Sequence, residues 1–180
     1  ISDTHIIVKK DYKKEHRFVT ALKKAVKDIN ALSPPPDFVL FGGDLAQLGL
    51  QAELELGKDL LSGLKPKVSM MVGEHDWYYD LGEKWQGLFG DQWYSFDHKG
   101  VHFVVLNSVL VEDYWTEKKM SSMERMLFMA QLDNPDGKPF TVGKGYLGNE
   151  QVEWLKKDLK NINRNTPVVV FSHSPLYKYY

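Results

Sequence analysis

Apolar residues recur along this chain with two different periods, one typical of helices and one typical of strands. Segments with apolar residues at helical spacing predict four helices, over residues 15–31, 50–64, 81–89 and 149–162. Short apolar runs predict interior strands at residues 38–41, 68–72 and 168–171. The prolines at 34–36 end the first helix, since proline cannot continue one.

Alternating aromatic and β-branched residues at 93–97 and 101–107 predict a hairpin around a turn at His98–Gly100. Strands that alternate with helices predict an α/β domain, which we place over residues 1–180. Residues 111–148 interrupt the alternation and are interpreted as an insertion. Within it a methionine recurs every three residues, which indicates one helical stripe, formed by Met120, Met123, Met126 and Met129.

Composition narrows the class of protein only slightly. The chain has 180 residues, 43% of them hydrophobic and 26% charged, which is ordinary for a globular domain. A net charge of −1 gives no support for a nucleic-acid or membrane-surface role, and no apolar stretch approaches the roughly 20 residues of a membrane span. The absence of cysteine excludes disulfides and thiolate ligands. It favours, weakly, a periplasmic or extracellular location.

Ionisable side chains follow the predicted strands at the point where each strand ends. Asp44 comes after the first strand, the run Glu74-His75-Asp76 after the second, and His173 after the last. Residues 1–5 resemble the tail of a further strand, in which Asp3 and His5 would project to the same side and grip one cation. Because ligands gather at the carboxyl ends of such strands, we expect these side chains to share one edge.

In order along the chain, these strand ends contain Asp-x-His, Gly-Gly-Asp, Gly-Glu-His-Asp and Ser-His-Ser-Pro. Their order and spacing resemble the motifs of the calcineurin-like metallophosphoesterase superfamily. The resemblance extends from Asp3 to His173. It implies a four-layer αββα sandwich, here truncated at both ends, with a site for two metal ions at the strand ends.

The resemblance also implies a role for each matching residue. Asp3 and His5 would bind the first metal, Asp44 would bridge both metals, and His173 would bind the second. His75 would face the substrate phosphate or the leaving group, and Asp76 would orient His75. Mixed imidazole and carboxylate ligands suit Mn, Fe or Zn. The implied reaction is hydrolysis of phosphomonoesters or diesters by a bridging hydroxide.

One residue of the central motif departs from the family, since Glu74 stands where the family has asparagine. A carboxylate can still bind the second metal, but it opposes an incoming phosphate. A second departure is the family's Gly-His-x-His pair, which would lie beyond Tyr180. The alternative function is therefore a binding or structural subunit with little or no turnover. An unrelated nucleotide binder is a third possibility, against which stands the absence of a phosphate loop.

Several positions keep two interpretations. Trp77, Tyr78 and Tyr79 either line a substrate pocket or pack against the helix that follows, and Trp77 is taken as a candidate for substrate binding. The methionine stripe either packs on the domain core or forms a lid or a surface for a protein partner. The lysines at 9, 10, 13 and 14 either attract phosphate or face water. Three histidines, His16, His98 and His102, are expected to be structural.

Overall fold

The computed structural model describes residues 1–8, 16–110, 119–120, 124 and 146–176. They form a mixed α/β structure with two sheets and several helices. The chain divides into two compact units, Ile1–Gly90 and Asp91–Tyr180. None of the helices in the described ranges is long and apolar enough to cross a membrane.

The first unit contains two parallel strands and the helices that accompany them. The helix α1 (Arg17–Asn30) precedes β1 (Phe38–Phe41), and α2 (Gln51–Leu61) connects β1 to β2 (Lys67–Met70). A parallel pair needs such a crossover connection, and a helix commonly supplies it. Two short helices complete the unit, α3 (Glu74–Trp77) and α4 (Glu83–Phe89). The predicted helices of this unit and its strands at β1 and β2 are confirmed. The short helix α3 was not predicted.

The predicted strand at the start of the chain is wrong. Residues 1–6 run beside the end of β1, where the amide of Asp3 donates to the Gly43 carbonyl and that of His5 to the Asp44 carbonyl. Asp3 and His5 have φ angles of 55° and 44°, so the backbone is left-handed at both residues and not extended. A single parallel bridge joins Ile6 to Ala46. The two side chains therefore do not converge by strand alternation.

The second unit contains the predicted hairpin and the last strand. The strands β3 (Tyr94–His98) and β4 (Val101–Leu106) are antiparallel, and Lys99 and Gly100 turn between them with φ angles of 49° and 79°. Positive φ at both central residues is the geometry that matches the twist of a hairpin. The strand β5 (Val168–Ser172) pairs in parallel with β4, so the order is β3-β4-β5.

The strand β5 corrects one expectation. Its apolar run predicted an interior strand, but Val168, Val169 and Val170 are exposed by 41%, 38% and 48%. Successive side chains of a strand point to opposite faces, so exposure at all three positions means that neither face of β5 is well covered there. The apolar run thus predicted the strand correctly but not the burial of its side chains.

The helix α5 (Gly148–Lys160) is anchored by a buried polar side chain. The Gln151 side chain accepts from the Asn107 amide at 2.8 Å and donates to the Asn107 and Leu147 carbonyl oxygens at 2.8 and 2.7 Å. The predicted apolar face of this helix is only partly covered, since Leu159 is 38% exposed. Polar bonds from Gln151 thus fix the helix where the chain leaves β4.

Most of the predicted insertion lies outside the described residues. Met120 is half-buried, whereas Met123, Met126 and Met129 are not described, and neither are the lysines at 9, 10, 13 and 14. The single domain over 1–180, the insertion at 111–148 and the role of the methionine stripe stay predictions.

His102 links three elements of the second unit and is structural, as expected. Its Nδ1 lies 2.8 Å from Asp97 Oδ1 on β3, and its Nε2 lies 2.8 Å from Asp158 Oδ2 on α5. Ser95 also donates to Asp158, at 2.7 Å. Burial alone would lower the pKa of His102, but its hydrogen bonds to Asp158 and Asp97 raise that pKa above the ordinary value. Because carboxylates only accept, the charged form of the ring, with protons on both nitrogens, satisfies both bonds.

We predict that His102 makes the unfolding free energy depend on pH. A raised pKa means that the folded state holds the proton more tightly, so this stabilisation is complete below about pH 6.5 and is lost as the pH rises through the raised pKa. Thermal melts of the wild type and His102→Gln should converge with rising pH. A constant gap between His102→Gln and the wild type would contradict the prediction.

Candidate metal centre

Asp44 is the centre of the candidate site. It follows β1, is 2% exposed and has a φ of 55°. Its Oδ1 accepts a hydrogen bond of 3.0 Å from the His75 amide, while its Oδ2 lies 3.8 Å from His5 Nε2. The turn after β1 and the turn after β2 therefore meet at this one carboxylate. A left-handed backbone outside glycine is uncommon, although aspartate tolerates it better than most residues.

His5 and His75 approach Asp44 from different segments of the first unit. Their rings meet edge to face, with centroids 4.6 Å apart and an interplanar angle of 89°. His75 Nδ1 lies 2.7 Å from the carbonyl oxygen of Gln47. A carbonyl can only accept, so Nδ1 carries a proton and Nε2 is the nitrogen left to act in the site.

Each of His5, Asp44 and His75 offers a potential ligand atom within 4.8 Å of the others. A carboxylate oxygen of Asp3 also lies within 4.8 Å of one of Asp44. Asp3 is exposed, and Ser2 donates to its carboxylate. Three of these four residues, Asp3, His5 and Asp44, have positive φ. Backbone strain of this kind is common at functional sites, where the surrounding structure holds it in place.

Asp76 is fully buried and organises backbone, which differs from the role expected for it. Its Oδ1 accepts from the Ala46 amide at 2.8 Å, and its Oδ2 accepts from the amides of Leu45 and Gly73 at 3.2 and 3.1 Å. The partner of the His75 ring is the Gln47 carbonyl, so the expected direct orientation of His75 by Asp76 is wrong. Both carboxylate oxygens are already occupied by amides of the turns that carry Asp44 and His75.

The ionisation of Asp76 is balanced between opposing effects. Burial raises its pKa to about 7, and the nearby charge of Asp44 adds to this, while the three backbone N–H groups oppose it. A cation bound beside Asp44 would favour the ionised form. The carboxyl group is therefore sensitive to the charge that the neighbouring site holds.

Trp77 does not take the substrate-binding role that we considered for it. Its exposure is 0%, so it packs inside the first unit and has no surface that could touch a substrate. Of the aromatic residues that follow His75, Tyr79 is the exposed one, at 43%, and Lys84 Nζ lies 4.6 Å from the centre of its ring. The packing interpretation is thus correct for Trp77.

Comparison with known proteins identifies the family of this chain. A family model described as calcineurin-like phosphoesterase matches residues 1–180. This chain belongs to the calcineurin-like phosphoesterase family. It is also 28% identical over 182 residues to a protein of Arcobacter nitrofigilis named probable glycerophosphodiester phosphodiesterase GpdQ. The match covers 99% of this chain and 56% of that relative, so the chain spans little more than half of the relative's length.

Two predicted ligands of this calcineurin-like phosphoesterase remain, Glu74 and His173. Glu74 opens α3 and is half-buried, but it does not belong to the close group of His5, Asp44 and His75. His173 follows β5 in the second unit and is half-buried. The parts that Glu74 and His173 play as ligands stay predictions from the sequence.

Metal ions suit the residues that the first unit brings together. His5 Nδ1 is buried and has no hydrogen-bond partner within the described part of the chain. A buried polar atom without a partner is costly, which favours a site that something else completes. The donors are imidazoles and carboxylates, the set that suits Mn, Fe or Zn.

Sequence patterns did not reveal Gln47 or Gly73 as parts of the site. Gln47 contributes its backbone carbonyl, which any residue would supply, so its side chain carries no signal. For Gly73, a sequence signal did exist, because it is a glycine that follows a predicted strand directly. An added Cβ there would overlap Oδ1 and the backbone nitrogen of Asp44, so glycine is needed for close approach and not for a special φ.

We predict that Gly73→Ala displaces Asp44 and weakens metal binding. Calorimetric titration with Mn²⁺ should show affinity about tenfold lower or worse, because supporting contacts of metal ligands typically have effects of that size. The control is Gly87→Ala in α4, where an added Cβ meets nothing within 4 Å. Equal Mn²⁺ affinity in the wild type and Gly73→Ala would show that Asp44 has no part in binding.

Proposed function

We propose that this protein hydrolyses phosphoesters with the help of two metal ions held at the site around Asp44. The observation that carries the proposal is the convergence of His5, Asp44 and His75, whose imidazole and carboxylate atoms lie within 4.8 Å of one another, in a chain of the calcineurin-like phosphoesterase family. Paired cations supply an activated water and clamp the entering and leaving oxygens of an in-line displacement. Mn, Fe or Zn is the proposed metal, in the divalent or trivalent state.

Five residues are proposed as ligands of the two metal ions. Asp3 and His5 are proposed to bind one ion, and Asp44 to bridge it to the second, with Glu74 and His173 as the ligands that complete the pair. The support is the motif match and, for Asp3, His5 and Asp44, their closeness in the first unit. The four-layer sandwich and a location outside the cytoplasm stay predictions as well.

His75 is proposed to donate from Nε2 to an oxygen of the phosphate or of the leaving group. Its Nδ1 is engaged with the Gln47 carbonyl at 2.7 Å, so the ring is held with Nε2 as its active atom. A histidine fixed in this way is a suitable general acid near neutral pH.

Phosphodiesters are the first substrates to test. The name of the Arcobacter relative refers to glycerophosphodiesters, and the match covers nearly all of this chain. Phosphomonoesters remain in the proposal because the site described so far contains no group that would select between the two. A diester and a monoester carrying the same chromogenic leaving group would compare the two classes directly.

A second candidate is a family member that binds phosphoesters but turns them over slowly or not at all. The observation that favours it is Glu74, which adds a negative charge to the motif where the family has a neutral amide. A carboxylate binds a cation more strongly than an amide oxygen, because a full charge replaces a dipole. The same charge opposes a phosphate anion.

For His75 we predict that His75→Ala lowers phosphodiester turnover by about 10²–10⁴-fold, the range typical of a positioned acid–base group. Bound metal, measured by elemental analysis after desalting, should stay nearly unchanged. Full activity in His75→Ala would remove this residue from the reaction. A loss of metal in proportion to activity would instead identify His75 as a ligand.

Glu74 separates the two candidate functions. In Glu74→Asn, we predict faster phosphodiester turnover together with weaker metal binding, because the added charge acts in opposite directions on the two. Paired kinetics and metal titrations test this. Glu83→Asn is the control, since Glu83 is an exposed glutamate in the first turn of the next helix. Should Glu74→Asn behave like that control, Glu74 has no part in either effect.

A further inference from the structure

The turn at residues 47–49 lies directly against the backbone that carries His75. Gln47 supplies the carbonyl oxygen that meets His75 Nδ1 at 2.7 Å. Gly49 has a φ of 64°, and an added Cβ there would lie 2.8 Å from the His75 carbonyl oxygen and 3.2 Å from that of Asp76. Two backbone segments therefore touch with no side chain between them, and the position of the turn decides where the His75 ring points.

Hydrophobic burial does not hold the tip of this turn. The side chain of Leu48 is 58% exposed, which is unusual for a leucine next to a candidate site. Instead, two backbone amides of the turn donate hydrogen bonds that hold it in place. The Gln47 amide donates to the Ile6 carbonyl at 3.0 Å, and the Leu48 amide donates to Glu53 Oε2 at 2.9 Å.

Ile6 contributes a backbone carbonyl to these bonds, whereas Glu53 contributes its side chain. The surroundings of Glu53 are unfavourable for a carboxylate. It lies in the first turn of α2 and is 1% exposed, and the next residue, Leu54, is fully buried. Burying a charge costs stability unless hydrogen bonds compensate it. An apolar residue of similar size would fill the position at lower cost. The specific contribution of the carboxylate is its bond to the Leu48 amide.

We infer that Glu53 is a positioning residue for His75, acting through the turn at residues 47–49. Its carboxylate fixes the Leu48 amide, the turn presents the Gln47 carbonyl, and the carbonyl keeps the His75 proton on Nδ1 with Nε2 turned to the site. The effect on catalysis rests on the proposed phosphoesterase function. The effect on the His75 ring does not depend on it.

The test compares three substitutions of Glu53 in the full-length protein with a control on the same helix. Glu53→Gln keeps an acceptor oxygen at the same reach, Glu53→Met keeps the volume without an acceptor, and Glu53→Asp keeps the charge but is one methylene shorter. The control is Glu55→Met, because Glu55 is exposed and its side chain bonds only to Gln51 within the described residues. Far-ultraviolet circular dichroism verifies folding in each variant.

The readout is the position of the proton on His75, measured by ¹⁵N NMR of histidine-labelled protein and assigned by the loss of signal in His75→Ala. The wild type, Glu53→Gln and Glu55→Met should hold the proton on Nδ1. Glu53→Met and Glu53→Asp should show a mixture of both tautomers, and kcat for a phosphodiester should fall about tenfold while KM changes little. A purely structural role would lower stability without moving the tautomer.

Retention of the Nδ1 proton in both Glu53→Met and Glu53→Asp overturns the inference. Glu53→Asp keeps the test decisive if Glu53→Met does not fold. If the wild type hydrolyses no phosphoester, the proposed function fails, but the tautomer measurement still decides the role of Glu53. A loss of the Nδ1 proton in Glu55→Met would also count against the inference, since the effect would then not be specific to the buried glutamate.

Discussion

The first unit depends on one buried carboxylate, that of Asp76, which accepts hydrogen bonds from the amides of Leu45, Ala46 and Gly73. These amides belong to the turns after β1 and β2, so a single side chain ties the two strand ends together. Hydrogen bonds to a charged acceptor contribute about 1.5–3 kcal/mol each, roughly twice as much as neutral ones. Without this carboxylate the three amides would be buried donors without partners, which is the more costly loss.

The same device recurs elsewhere in the described structure. Glu53 fixes the Leu48 amide, and Gln151 bonds both backbone groups of Asn107. In each case a buried polar side chain from a helix satisfies the backbone of an irregular segment, which has no ladder partners of its own. Irregular backbone can therefore be buried inside the units. The candidate ligands Asp3, His5 and Asp44 belong to such irregular segments.

Periodic patterns predicted what depends on local sequence. The helices α1, α2 and α4, the hairpin of β3 and β4, and α5 follow from apolar spacing and turn residues close to each element. The approach of Asp44 and His75 to each other follows from their places after β1 and β2, whereas His5 reaches them from a segment that is not a strand. Contacts between distant segments were not predictable: the left-handed backbone at Asp3 and His5, the complete burial of Trp77, and the Gln47 carbonyl as partner of His75. Each depends on tertiary packing that leaves no periodic trace in the sequence.

The two oxygens of Asp44 have separate tasks, and this restricts how the carboxylate can bind a cation. Oδ1 is engaged with the His75 amide at 3.0 Å, and Oδ2 faces His5. Rotation of this carboxylate to present both oxygens to one cation would break the bond to the His75 amide. Calcium favours sites with six to eight oxygens, often including bidentate carboxylates, whereas smaller transition-metal ions accept single oxygens beside imidazole nitrogens. A cation bound at the proposed site through one oxygen of Asp44 would therefore be one of these smaller ions rather than calcium.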